Sequence, residues 1–85
     1  MLAKTRKGTE VSVQFHRDCG PNEDGWYCEI YLYGEDGEVI EDRFDYFTIY
    51  PEDCREEGCV DASTGGPTGE AEEYAREYVQ SISEY

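Results

Sequence analysis

Residues 26–50 read WYCEIYLYGEDGEVIEDRFDYFTIY, a run in which aromatic and β-branched side chains are interleaved with carboxylates around a glycine turn. Trp26, Cys28, Ile30 and Leu32 fall on one parity, and Tyr27, Glu29, Tyr31 and Tyr33 on the other. Successive side chains of a strand point to opposite faces, so the first set makes a core face and the second an aromatic surface with a carboxylate set into it. Gly34-Glu35-Asp36-Gly37 contains Asp-Gly between two strand-like runs, which predicts a hairpin. The return strand does not keep one phase. Ile40, Phe44 and Tyr46 share one parity, whereas Val39, Phe47 and Ile49 share the other, so a bulge or break is expected between Phe44 and Phe47.

Outward from this hairpin, Val11, Val13 and Phe15 alternate with Ser12, Gln14 and His16, which predicts a half-buried strand over Glu10 to Arg17. Residues 1–9 are basic and turn-like and read as a loose basic arm, leaving 10–85 as one domain. DCGPNEDG, at 18–25, is a loop of turn formers. Pro51 ends the sheet region, and PEDCREEG is expected to give one or two helical turns stopped by Gly58. CVDASTGGPTG, at 59–69, is the one linker-like stretch. Beyond it Ala71, Tyr74, Ala75, Tyr78, Val79, Ile82 and Tyr85 keep helical spacing, with Thr68 as N-cap and Glu70 at the positive end of the dipole. The expected fold is α+β: an antiparallel sheet of three or four strands with one C-terminal helix packed on one face.

The charge is extreme and uneven. The 85 residues carry 21 acids against 7 bases, a formal net charge of −14. Residues 1–17 sum to +3 and residues 18–85 to −17. Such a field repels nucleic acid and anionic membrane and attracts basic surfaces, so a basic nucleic-acid-binding protein is the partner expected, with neither nucleic acid nor membrane bound directly. Solubility alone, or adaptation to a salty cytoplasm, accounts for the same charge. No run approaches the roughly 20 apolar residues of a membrane span, and the start MLAKTRKG is too polar for a signal peptide, so the cytoplasm is the expected location.

The four cysteines, as Cys19-x8-Cys28 and Cys54-x4-Cys59, leave three readings open: zinc ligands with His16 as a substitute, local disulfides, or reduced thiols with Cys28 as a small hydrophobe. His16, the single histidine, has no motif-placed nucleophile beside it. Phosphate loops, nucleophile elbows and dinucleotide fingerprints do not occur, and the acid-glycine loops around Gly25 and Gly37 lack the terminal glutamate of a calcium loop. A non-catalytic protein without cofactor is expected. Glu29, Tyr31, Tyr33, Glu35, Asp36, Glu38, Glu41, Asp42 and Asp45 around the hairpin, with Glu70, Glu73 and Glu77 on the helix, are the candidate partner-binding residues. Carboxylates at such spacings approximate a phosphate array, and tyrosine offers contact area at low entropic cost.

In size, charge and lack of catalytic motifs, carried by EDGEVIEDRFD and GEAEEYAREY, the chain resembles small acidic phage anti-defence proteins of the anti-CRISPR and DNA-mimic type. That resemblance implies an inhibitor that occupies a nucleic-acid site of a host defence complex and blocks DNA by charge mimicry. The order of strands and helix, with Gly58-Cys59-Val60 preceding TGEAEEYAREYVQSI, also resembles HicB-type antitoxin domains, although Glu57 stands where their turn has proline. A small zinc- or disulfide-stapled interaction module is the alternative.

Overall fold

A computed structural model describes residues 1–17, 25–40 and 43–82. Four antiparallel strands follow one another in space as they do in sequence: β1 (Leu2–Lys4), β2 (Glu10–Arg17), β3 (Trp26–Leu32) and β4 (Asp45–Ile49). A 3₁₀ turn (Pro51–Asp53) and one helix, α1 (Gly69–Ser81), complete the chain. The fold is therefore α+β, as its alternation and helical stripe predict.

The alternation in β2 and β3 translates directly into two faces. Val11, Val13, Trp26, Cys28 and Ile30 are buried, and register brings Val13 opposite Ile30 and Trp26 opposite Ile49. Helix α1 covers this face with Ala71, Ala75 and Val79, while Tyr74 and Tyr78 lay their rings over Phe47, with centroids 6.3 and 4.2 Å away. Tyr78 also donates its hydroxyl proton to Asp45 Oδ2 at 3.3 Å. Tyr85, the last residue of the expected stripe, lies outside the described residues, as does most of the 18–25 loop.

One expectation needs correction. Residues 1–9 are not a loose arm: Leu2–Lys4 pairs with Glu10–Ser12, and the Val13 N–H donates to the Met1 carbonyl at 2.8 Å. The turn between them closes through the Gly8 N–H to the Thr5 carbonyl at 2.9 Å, with Gly8 at φ 89°, a conformation glycine adopts without strain. Ala3 is buried opposite Val11, while Lys4, Arg6 and Lys7 stay exposed, so the segment is basic and yet an ordered edge strand.

The phase break lies at the start of the expected interval. From the Tyr33↔Val39 bridge to the Ile30↔Asp45 pair, β3 advances three residues and the returning chain six. An odd surplus exchanges the two faces. Phe47 and Ile49 consequently point into the core, whereas Ile40, Phe44 and Tyr46 are 42%, 40% and 53% exposed. The change of face falls at Phe44 and Asp45, because the Phe44 N–H bonds the carbonyl of Ile30, at 2.8 Å, and Ile30 is also the partner of Asp45, so two residues of the return strand oppose one of β3. The Asp-Gly turn forms as expected, with the Gly37 N–H on the Gly34 carbonyl at 3.0 Å and Gly37 at φ 82°.

The segment 51–68 is pinned to the core from three sides. Cys54 and Cys59 form a disulfide, with Cα atoms 5.4 Å apart. The buried Trp26 indole donates to the Cys59 carbonyl at 2.6 Å. Thr68 caps α1, its Oγ1 accepting from the Ala71 N–H at 3.3 Å while its hydroxyl donates to the Gly58 carbonyl. Losing an N-cap costs about 1 kcal/mol. Thr68→Ala is expected to lower stability by about 1–2 kcal/mol, since the Gly58 contact is lost as well. Thr68→Ser should recover most of it, and equal urea midpoints for wild type and Thr68→Ala would contradict the assigned cap.

Candidate functional site

The residues expected to bind a partner are distributed over three places. The first is the open face of the sheet, away from α1. It carries Ser12, Gln14 and His16 from β2, Tyr27, Glu29 and Tyr31 from β3, and Tyr46 and Thr48 from β4, with Gln14, Glu29 and Tyr46 side by side in one cross-strand row. Tyr33 extends β3 through its bridge to Val39.

Glu29 is not a free carboxylate. His16 Nε2 lies 3.0 Å from its Oε1 and Arg43 Nη1 3.4 Å from its Oε2, and the Glu29 side chain is only 20% exposed. Burial, followed by the charge of Glu29 and a hydrogen bond to it, pushes the Tyr31 phenol above its ordinary value, so Tyr31 stays a neutral donor beside that carboxylate. Arg43 also donates to the Tyr27 hydroxyl and stacks over the Tyr46 ring, 4.3 Å from its centroid.

The second place is the hairpin tip. Glu35, Asp36 and Glu38 are exposed there, and Asp36 Oδ1 accepts from the Glu38 N–H at 3.1 Å. Glu41 and Asp42 lie outside the described residues. Asp45 does not belong to this group. It sits in the seam between sheet and helix, where its Oδ1 accepts from the Tyr46 N–H at 2.8 Å and its Oδ2 holds Tyr78.

The third place is a shallow groove of about 280 Å³ between α1 and the segment after β4. Its lining is Asp53, Arg55, Glu56, Glu70, Glu73, Tyr74 and Glu77, five carboxylates against one guanidinium. The sequence explains how the walls meet. Glu70, Glu73 and Glu77 recur at helical spacing on one side of α1, and the disulfide closes 54–59 into a compact loop beside them. Glu70 joins the two walls, its Oε1 accepting from the Glu56 N–H at 2.8 Å while its Oε2 is buried without a partner. Burial, with Asp53 next, raises the Tyr74 phenol, which therefore stays neutral at the groove floor.

Asp53 and Glu56 were not among the residues singled out from the sequence, and neither was Arg43. The signal for the first two was present, as the acids Glu52, Asp53 and Glu56 after Pro51 and a Cys-x4-Cys spacing able to fold them back.

The candidate metal ligands are not brought together. Cys54 and Cys59 are bonded to each other, Cys28 is buried in the core, His16 lies on the opposite face beside Glu29, and Cys19 is outside the described residues. Among the described residues no three metal-ligating side chains converge, and no helix is long and apolar enough to cross a membrane. No family model, curated protein or solved structure matches the chain.

Proposed function

We propose that the chain is a non-catalytic acidic inhibitor that docks on a basic, phosphate-binding surface of a nucleic-acid-handling protein and keeps nucleic acid from it. The observation that carries this reading is the groove in which Asp53, Glu56, Glu70, Glu73 and Glu77 are gathered around a single Arg55. Glu70, Glu73 and Glu77 lie along about 10 Å of helix at 1.5 Å per residue, one carboxylate per roughly 3.5 Å of axis, with Asp53 and Glu56 on the facing wall. Each strand of duplex DNA offers one charge per about 3.4 Å. A lysine- and arginine-lined channel built for phosphates therefore meets a similar charge density, and the remaining acids steer the encounter.

The groove takes the leading part from the sheet face first favoured by the sequence, because Glu29 is already matched by His16 and Arg43. The compositional resemblance to phage anti-defence proteins supplies the kind of target, a host defence nucleoprotein met in the cytoplasm. A second reading, a disulfide-stapled interaction module, is favoured by the Cys54–Cys59 bond that closes one groove wall; it uses the same surface in an oxidising compartment.

The test is capture from a host lysate on immobilised chain, in parallel with a Glu73→Gln, Glu77→Gln, Asp53→Asn triple variant whose folding is verified by circular dichroism. Wild type should retain nucleic-acid-binding proteins that are released by duplex DNA and by raising salt. The triple variant should retain at least tenfold less, because neutralising three charge contacts removes several kcal/mol of interaction at low salt. Retention that is indifferent to DNA and to the triple variant would exclude charge mimicry by this groove.

A further inference from the structure

The open face of the sheet holds an arrangement that the acidic groove does not use. Its centre is Arg43, whose guanidinium stacks over Tyr46, donates to the Tyr27 hydroxyl and stands 3.4 Å from Glu29 Oε2. Those three partners come from two neighbouring strands in fixed register, Glu29 opposite Tyr46 and Tyr27 opposite Thr48. Together they supply an aromatic face, a phenolic oxygen and a carboxylate, the complement of a flat cation with several donors. We infer that this face is a receptor for an arginine side chain of a basic partner, and that Arg43 is its resident intramolecular occupant.

Several features make the occupant exchangeable. Arg43 enters from the stretch that holds the surplus residues of the return strand, and it is no part of β4. Its side chain is 39% exposed, and it touches Glu29 through one long contact and not a two-pronged fork. The receptor is more fixed than its occupant. Glu29 is held from the far side by His16 at 3.0 Å, and Tyr27 and Tyr46 lie with ring centroids 6.1 Å apart. Because Glu29 is largely shielded from water, its charge acts on a guanidinium more strongly than an exposed carboxylate would.

Arginine is preferred to lysine on chemical grounds. An ammonium ion can balance the charge of Glu29, but it lacks a plane to stack on Tyr46 while pointing separate donors at Tyr27 and Glu29. The receptor lies across the sheet from α1 and the acidic groove, so it stands or falls independently of the function proposed above.

The experiment is a titration of isotope-labelled protein with N-acetylarginine amide, followed through the ring signals of Tyr27 and Tyr46. Removing a tethered competitor should tighten binding, and Arg43→Ala is expected to bind the probe at least about tenfold more strongly than wild type. N-acetyllysine amide should bind Arg43→Ala at least about fivefold more weakly than the arginine probe. Adding Glu29→Gln, or Tyr46→Leu, to Arg43→Ala should abolish the ring shifts while leaving the amide spectrum of the core unchanged. The inference is overturned if Arg43→Ala shows no ring shifts, if the lysine probe does equally well, or if shifts appear only around Glu73 and Glu77. Ring shifts in wild type that grow with protein concentration alone would name a second copy as the occupant and would equally overturn it.

Discussion

Trp26→Ala is expected to remove 3–5 kcal/mol of stability, about the whole margin of a domain this size. Trp26 is buried to 3% at the start of β3, and three elements meet on it. Phe15 of β2 contacts its ring edge-to-face at 5.7 Å, and the Arg17 guanidinium lies 5.4 Å from its centroid. Its indole N–H reaches the Cys59 carbonyl at 2.6 Å. That carbonyl also accepts the Thr68 N–H at 3.2 Å, so the tryptophan, the disulfide loop and the helix cap are tied at one oxygen. The melting temperature should drop by at least about 15 °C, or the cooperative transition should vanish.

Trp26→Phe separates packing from hydrogen bonding. It retains most of the apolar surface but withdraws one donor from Cys59, at a cost of about 1–3 kcal/mol. Exchange of the Thr68 amide should then accelerate more than exchange in the middle of β3. A Trp26→Ala chain that melted within a few degrees of wild type would show that the 54–68 segment does not hang on this residue.

Face assignments were the most legible part of the fold. The parity of β2 and β3 and the stripe of α1 each follow from a local period, and the buried residues obey them: Val11, Val13, Cys28, Ile30, Ala71, Ala75 and Val79. β1 was not legible in the same way, because three residues in a basic stretch carry too little alternation to register as a strand; Ala3 is buried only because Val11 and the helix meet over it. The change of face in the return strand could be inferred from Phe47 and Ile49, but parity cannot say where surplus residues are placed. Phe44 keeps the parity of Ile40 and bonds Ile30, which Asp45 also faces, so the change of face sits between Phe44 and Asp45.

The candidate site was legible in composition more than in position. That Tyr27, Glu29 and Tyr31 share a face follows from period two. That Glu29 is matched by His16 and Arg43 depends on strand register and on a bulge, neither of which is a local property. The convergence of 53–56 on 70–77 is longer in range still. It rests on the Cys54–Cys59 bond, the Trp26 indole and the Glu70 carboxylate, three contacts whose partners are not set by any repeat in the chain. Sequence reasoning therefore found the acids of α1 but missed the wall that faces them.

Stability should fall steeply in alkali, and Cys28 should set much of that limb. The thiol is fully buried beneath α1, opposite Phe47, and burial pushes it from an ordinary value of 9.0 up to about 12. In the unfolded chain the same thiol ionises near its ordinary value. Folding thus favours the protonated form: the contribution is intact below pH 9 and is lost as pH rises from 9 toward 12. One such group adds a slope of about 1.4 kcal/mol per pH unit within that window. Tyr74 and Tyr78 act in the same direction, both raised first by burial and then by Asp53 and Asp45 respectively. Urea denaturation at pH 7, 9, 10 and 11 should therefore show a flat region followed by a descending one. Cys28→Ala is expected to be somewhat less stable at pH 7, having lost a sulfur from the core, and to descend less steeply above pH 9, so that the two curves converge. Parallel curves would mean that the thiol is not what the core excludes from ionisation, and that the tyrosines on the helix carry the alkaline limb alone.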